Sequence, residues 1–373
     1  MKKVLLVATV QSHIAQFHKP LIEVLKAKGY EIHIAAKNNL SEKNGLALPD
    51  VDKIYDIEFS RSPFDLMNIR AYKILKRIIN IENYNIVHAN TPVGGVVARL
   101  AAINARKKGC KVFYTAHGFH FYKGASIKNW ILYYPIEKAL SKITDALVTI
   151  TNEDFKLAQK NFRCKVFNIN GCGVEENRFL SVSSSDIAEI KSQFGLDGKF
   201  IALCIGELNN NKNQKFLIDV VEQLSIRIPN IVLVLAGNGP NYEALKQLIK
   251  DKKLENSVLM VGYRSDIEKF VNACDIVVSA SKREGLPFNI IEAMICKKPV
   301  VASNNRGHRE LVENNINGFV FEQGDIEKCT AIIQQLFSDI ELRNKVTEQA
   351  KQRSVLYSSA IVKEDLSVLY DEV

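Results

Sequence analysis

Two glutamates, Glu284 and Glu292, stand eight positions apart in SKREGLPFNIIEAMICKKPVVAS, residues 281–303. Carboxylates accept hydrogen bonds from hydroxyl groups. Gly285 between them permits close backbone approach. The second glutamate falls in the first turn of an apolar-periodic run that reads as helix. A helix start offers N–H groups and a positive dipole end to an anion. A polyhydroxylated ligand carrying phosphate has both needs met here, and a sugar nucleotide is such a ligand. The plainer alternative is that both acids merely occupy a helix start, where acidic residues are common.

Other residues could serve the same ligand. Lys212 lies in the loop ELNNNKNQ that opens a helix, well placed for a diphosphate as a mobile point charge. The turn AGNGPN puts Gly237, Asn238 and Gly239 after a strand, although glycines often end strands for no functional reason. Tyr263 ends the strand VLMVGY and Arg264 follows it, and Arg264 reads equally as a helix-flanking surface residue. In the first half His117 directly follows the strand KVFYTA. His13 and His18 fall in the first loop and helix, His13 as a cleft candidate and His18 as a packing residue. Gly94 and Gly95 in HANTPVGG open another helix. Phe119, Phe121, Tyr122, Trp130, Tyr133 and Tyr134 are interleaved with Lys123 and Lys128. That segment fits core packing, a lipid-linked acceptor or a membrane interface.

The elements that must position these groups alternate short apolar strands with amphipathic segments, the pattern of parallel βα units. Seven strands are predicted in the first half: KVLLVAT, EIHIAAK, KIYDIEF, NIVHAN, KVFYTAH, ALVTIT and KVFNING. FIALCIGE, IVLVLAG, VLMVGY, DIVVSAS, PVVAS and GFVFE supply six more. The fold class is therefore α/β, with two Rossmann-like doubly wound domains that should bind ligand outside the carboxyl ends of their strands, facing each other across a cleft. The predicted domains are 1–175, the serine-rich 176–197 as a linker, and 198–354. The tail 355–373 has apolar positions at mixed helical spacing that could pack anywhere.

The 373 residues suffice for two cores, and 47% hydrophobic with 24% charged residues is ordinary globular composition. No apolar run reaches the length of a membrane span. MKKVLLVATV reads as a first buried strand, since its apolar part is short and no small-residue cleavage site follows. Seven scattered cysteines without C-x-x-C spacing argue for reduced thiols in a cytoplasmic protein. Charge is split: residues 1–175 carry 26 Lys and Arg against 14 Asp and Glu, the remainder 24 against 27. Basic residues gather at Arg70, Lys73, Lys76 and Arg77, and again at Arg106, Lys107, Lys108 and Lys111. Without a nucleic-acid motif beside them, they suit an anionic membrane surface rather than nucleic acid. A merely solvated basic face is the bland alternative. Asp50-Val-Asp52 and His117-x-x-His120 are read as chance, so no metal is expected.

The 281–303 stretch resembles the E-x7-E signature of the retaining family 4 glycosyltransferases, which have the GT-B fold, and the similarity runs across nearly the whole chain. The resemblance implies that Glu292 binds ribose hydroxyls, that Glu284 sits by the transferred sugar, and that main-chain N–H groups around Gly285, Leu286, Phe288 and Asn289 hold phosphate or sugar oxygens. Lys212 matches the lysine of the family's G-R-L-x-x-x-K-[GN] loop, but Glu207 stands where the arginine would be. Arg283 is the candidate substitute cation. Gly237, Asn238 and Gly239 match a turn near the nucleotide, and Tyr263 with Arg264 a base-contacting loop. His117 matches the T-x-H-G histidine that contacts the donor sugar. The final helix is implied to cross back to the first domain. The segment 114–135 is similar to a subgroup building exopolysaccharide and capsule on polyprenyl diphosphate.

The resulting expectation is a metal-independent transferase using a UDP-sugar and a lipid-linked saccharide, peripheral to the inner face of the cell membrane. The transferred sugar is expected to be a hexose or N-acetylhexosamine. A UDP-sugar 2-epimerase of similar architecture and a non-catalytic nucleotide-sugar binder are the alternatives. Incubating the donor alone would separate the epimerase, and binding without turnover would mark the binder.

Overall fold

The computed structural model describes residues 1–43 and 46–372. Two compact units emerge: 1–173 with 359–373, and 174–358. In the first, seven strands form one parallel sheet: β1 (Lys2–Val10), β2 (Tyr30–Lys37), β3 (Lys53–Asp56), β4 (Ile86–Ala89), β5 (Lys111–Ala116), β6 (Ala146–Thr149) and β7 (Lys165–Asn168). Their order is β3-β2-β1-β4-β5-β6-β7. The second sheet, also parallel, holds β8 (Phe200–Ile205), β9 (Ile231–Ala236), β10 (Val258–Gly262), β11 (Ile276–Ser279), β12 (Val300–Ser303) and β13 (Phe319–Phe321). Its order is β10-β9-β8-β11-β12-β13. All thirteen predicted strands form.

The sequence pattern explains this directly. Strand side chains alternate between faces, and in β1 both faces are buried. Val4, Leu6 and Ala8 enter one core cluster, while Leu5 and Val7 enter another on the opposite side. Helices cover both faces, so the strands read as unbroken apolar runs. In β9 of the second sheet Ile231, Leu233 and Leu235 enter one core cluster, and Val232, Val234 and Ala236 at the alternating positions are buried as well.

Residues 176–197, expected as a linker, belong instead to the second unit. They form the helices Glu176–Leu180 and Ser184–Gln193. Ser183 and Asp186 close a capping box at the start of the second helix, which satisfies two of its unpaired N–H groups. Phe179 and Ile190 are buried. At the other end, Ser359–Glu372 is helical and packs in the first unit through Val362, Leu366, Leu369 and Tyr370. The Tyr370 hydroxyl lies 2.7 Å from His88 Nδ1.

Candidate active site

In the second unit the loops after β8, β9, β10 and β11 are bound to one another. Gly206 follows β8 at φ +150°, and its N–H donates to the Ala236 carbonyl. Gly237, at φ +154°, has its N–H on the Gly262 carbonyl at 2.7 Å. A Cβ on Gly237 would lie 2.0 Å from the Gly206 carbonyl oxygen, and one on Gly239 would lie 2.4 Å from that of Leu208. Both positions therefore require glycine. The expected A-G-x-G turn is thus a backbone-to-backbone contact, with Leu208 N–H donating to the Asn238 carbonyl at 2.9 Å.

Lys212 is aimed by its own loop. Asn209 Oδ1 accepts from the N–H groups of Asn211 and Lys212, and Asn213 turns the chain into helix Gln214–Arg227 at φ +56°. The loop is also tied to the segment after β11: Asn211 Nδ2 donates to the Arg283 carbonyl at 3.0 Å, and Lys282 N–H to the Asn211 carbonyl at 2.7 Å. Lys212 Nζ then meets Glu284 Oε1 at 2.6 Å, both side chains being largely shielded from solvent. Two residues predicted for separate contacts thus form one ion pair.

The helix Phe288–Ile295 begins after an extended Pro287 without a side-chain cap. Glu292 sits in its second turn, one turn later than expected. It is half-buried, and its carboxylate has no hydrogen-bond partner among the described residues. Burial pushes its pKa up to about 7, although the Arg178 charge opposes the shift. Leu286 is buried, and Asn289 donates its side-chain amide to the Ile205 carbonyl at 3.2 Å, joining this helix to β8.

Other predicted residues have different surroundings from those expected. Arg264 forms a two-point pair with Asp266, at 2.8 and 2.7 Å, and stacks over Phe194 and Phe270. Its charge is neutralised locally, while neighbouring Tyr263 is 47% exposed. Glu207 is exposed and accepts from Asn209 Nδ2, so it braces the Lys212 loop. Arg283 is exposed. In the first unit Gly94 and Gly95 are packing glycines: a Cβ would strike Thr91 Oγ1 at 2.5 Å or the Tyr114 ring at 2.6 Å. Phe119 is core rather than acceptor surface, buried and stacked on Phe121 at 4.7 Å. Half-buried Tyr122 accepts the Trp130 indole N–H on its carbonyl. His13 and His117 lie together, joined by His18.

Sequence reasoning missed Gly307 and His308, just after β12. A Cβ on Gly307 would come within 2.6 Å of the Gly285 carbonyl oxygen and 2.7 Å of Glu284 Cβ. This turn therefore buttresses the Glu284 loop from behind. His308 is fully buried with Nδ1 2.7 Å from the Ser303 carbonyl oxygen. Asn305 Nδ2 lies 2.9 Å from the same nitrogen, and Nε2 has no partner among the described residues. Burial lowers its pKa to about 4, so the ring is neutral near pH 7. The signal was the R-G-H-R run at a strand's carboxyl end, where ligand sites gather.

A family model described as Glycosyl transferases group 1 matches residues 186–353, and one described as Glycosyl transferase 4-like matches residues 3–152. The chain is 40% identical over 372 residues to EpsD of Bacillus subtilis (strain 168), which is named as a glycosyltransferase; 99% of this chain and 96% of that one are covered. It is 31% identical over 281 residues to the Escherichia coli UDP-Gal:alpha-D-GlcNAc-diphosphoundecaprenol alpha-1,3-galactosyltransferase, with 73% and 70% covered. Among solved structures it resembles Anabaena Alr3699/HepE in complex with UDP-glucose, with TM-score 0.79, 21% identity and 100% of both chains covered.

Proposed function

Since this chain belongs to the family 4 glycosyltransferases of polysaccharide biosynthesis and has their GT-B fold, we propose that it moves a hexose or N-acetylhexosamine from a UDP-sugar to a polyprenyl-diphosphate-linked saccharide, with retention at the anomeric carbon. The observation that carries this reading is the Lys212–Glu284 ion pair, held at 2.6 Å where four strand ends meet. A diphosphate arriving there takes the ammonium, and Glu284 is released to accept from the donor sugar's hydroxyls. The ionised Glu292 carboxylate accepts from the ribose hydroxyls. As the sugar–phosphate bond breaks, the acceptor oxygen bonds to the anomeric carbon from the same face, negative charge grows on the departing nucleotide, and the acceptor's proton passes to its phosphate oxygen. Lys212, Arg283 and main-chain N–H groups at the helix start stabilise that charge, so the transfer step runs without added metal.

The acceptor's lipid is supported by the first unit's surface. The helix Met67–Glu82 and the turn before it expose Phe64, Leu66 and Ile69 beside Arg70, Lys73 and Arg77. The helix Ile127–Leu140 exposes Ile127 and Ile131, at 77% and 71%, next to Lys128. Apolar side chains flanked by cations suit the anionic inner face of a cell membrane. Among the described residues no helix is long and apolar enough to cross a membrane.

The test is UDP release from UDP-glucose, UDP-galactose and their N-acetyl forms, each with and without a polyprenyl-diphosphate sugar. Release only with the acceptor is expected, and Lys212→Ala should slow it by about 10²–10³. Full turnover by that variant, or conversion of the donor without acceptor, would sink the reading.

A further inference from the structure

In the second unit three helices meet at one side chain, Asn272. Its amide nitrogen lies 2.9 Å from the carbonyl of Phe179, in the helix Glu176–Leu180, and 3.6 Å from Sγ of Cys296, which caps the helix Phe288–Ile295. Asn272 itself belongs to the helix Ile267–Ala273. Residues four apart on a helix share a face. Glu268 is therefore one turn back from Asn272, Glu292 is one turn back from Cys296, and Arg178 adjoins Phe179. Both neighbouring helices pack on the helix of Glu292, so a cation and a second carboxylate are gathered beside it.

Arg178 is engaged on one side only. Its Nε and Nη2 donate to Glu268 Oε2 at 3.0 and 2.7 Å, and Nη2 also donates to the Ser265 carbonyl at 2.8 Å. Ser265 lies in the loop after β10, which carries Tyr263. A guanidinium has five N–H donors in a planar fork, and Nη1 keeps no partner among the described residues.

Other charges on the elements around Glu292 are engaged elsewhere. Glu176 pairs with Lys351 at 3.0 Å, Lys269 with Asp186 at 2.7 Å and Glu348 with Lys297 at 2.6 Å. Lys298 donates to the carbonyls of Asn272 and Cys274. The helix Arg306–Leu311 brings Arg306, His308, Arg309 and Glu310; His308 responds to Glu284 and Lys212, and Arg309 donates to Asn304. The Cys296 thiol is pushed up to about 12 by burial and stays neutral. Burial raises the Glu292 pKa, the Arg178 charge lowers it and the Glu268 charge raises it.

We propose that Arg178 is a positioning residue for nucleotide binding: it holds the loop after β10 by the Ser265 carbonyl and presents a cation to the Glu292 carboxylate that receives the ribose hydroxyls. This rests on the role given to Glu292 in the proposed function. Glu268 orients the guanidinium, while its own charge works against ionisation of Glu292. The Arg178–Glu268 pair thus sets the pH range in which Glu292 serves the ribose.

Calorimetric titration of the full chain with UDP, from about pH 5 to about pH 9, tests this. Wild-type affinity rises with pH as Glu292 ionises. Arg178→Met should weaken binding about tenfold at neutral pH and move the midpoint of the rise up by about 1 pH unit, the lower end for loss of an opposite charge because Arg178 is 46% exposed. Arg178→Lys restores the charge without the fork, so its midpoint should return to the wild-type value. Glu268→Gln should move the midpoint the opposite way, below wild type. Opposite displacements from the two halves of one ion pair do not arise from lost packing. If Arg178→Met binds no UDP at any pH, the Glu268→Gln midpoint alone decides. An unmoved Arg178→Met midpoint in a chain with wild-type far-UV circular dichroism overturns the proposal, as does a Glu268→Gln midpoint at or above wild type. A flat profile in the wild-type chain removes the Glu292 role itself, and with it both this proposal and the reading beneath it.

Discussion

A carboxyl accepts hydrogen bonds from hydroxyl groups most strongly when ionised, and burial holds Glu292 near the middle of its titration at neutral pH. In the proposed function nucleotide binding favours the ionised form, so affinity for UDP should rise between pH 6 and 8 and then level off. Stability runs the other way. The folded chain holds this proton more tightly than the unfolded one, so the Glu292 contribution falls as pH climbs from 4.5 to about 7 and stays lost above that. Glu292→Gln should flatten the UDP profile by calorimetry. It should also stabilise the ligand-free chain at pH 8 by up to about 3 kcal/mol, with no gain at pH 4. Gly307 offers a second case. Gly307→Ala must displace the 284–285 backbone, so turnover should fall about 10²-fold while circular dichroism stays unchanged. The two glutamates were legible because their spacing straddles a glycine and a helix start. His308 was not, since a lone histidine after R-G carries no periodicity. The pairing of Arg264 with Asp266, two residues on, was not legible from residue type alone.

Among the elements, the helix Ile127–Leu140 illustrates how little of its own sequence explains its position. It contains Pro135 and is largely exposed. Trp130, Tyr133 and Tyr134 pack on the core, and Glu137 adds an ion pair in which its carboxylate accepts from both terminal nitrogens of Arg99 at 2.8 and 3.0 Å. The Arg99 guanidinium also lies 4.0 Å over the Tyr114 ring, with the side chain 1% exposed. Glu137→Ala would strand a buried cation, and the first unit's denaturant transition should lose about 3–5 kcal/mol. Strands were the most legible elements, because parallel strands covered on both faces must be continuous apolar runs of β-branched residues, as VVAS and IVLVLA are. The 176–197 stretch failed for the opposite reason. Serines that suggest a linker act here as caps, and Ser183 with Asp186 starts a helix. The aromatic run after β5 was legible only as a choice, and burial of Phe119 and Phe121 decided it in favour of the core.

At the scale of the whole molecule, the chain leaves its first unit at residue 173 and returns to it at 359. Gly173 makes the exit possible at φ +82°, where a Cβ would sit 3.0 Å from Ser359 Cα. Tyr370 completes the return by giving His88 one of its two hydrogen bonds. Tyr370→Phe should leave that ring nitrogen unpaired, lowering the first unit's stability by about 1–3 kcal/mol in a denaturant titration while the second unit's transition is unmoved. The tail's mixed apolar spacing did not reveal its destination, because Val362, Leu366 and Leu369 would suit any apolar groove.

That return has a consequence for how the polypeptide matures on the ribosome. Domains assemble as their residues emerge, yet the seven-stranded half lacks Val362, Leu366, Leu369 and Tyr370 until after the six-stranded half has been translated. The later-made half can finish first, and the earlier-made one must wait with an uncovered apolar groove, where a chaperone would find its substrate.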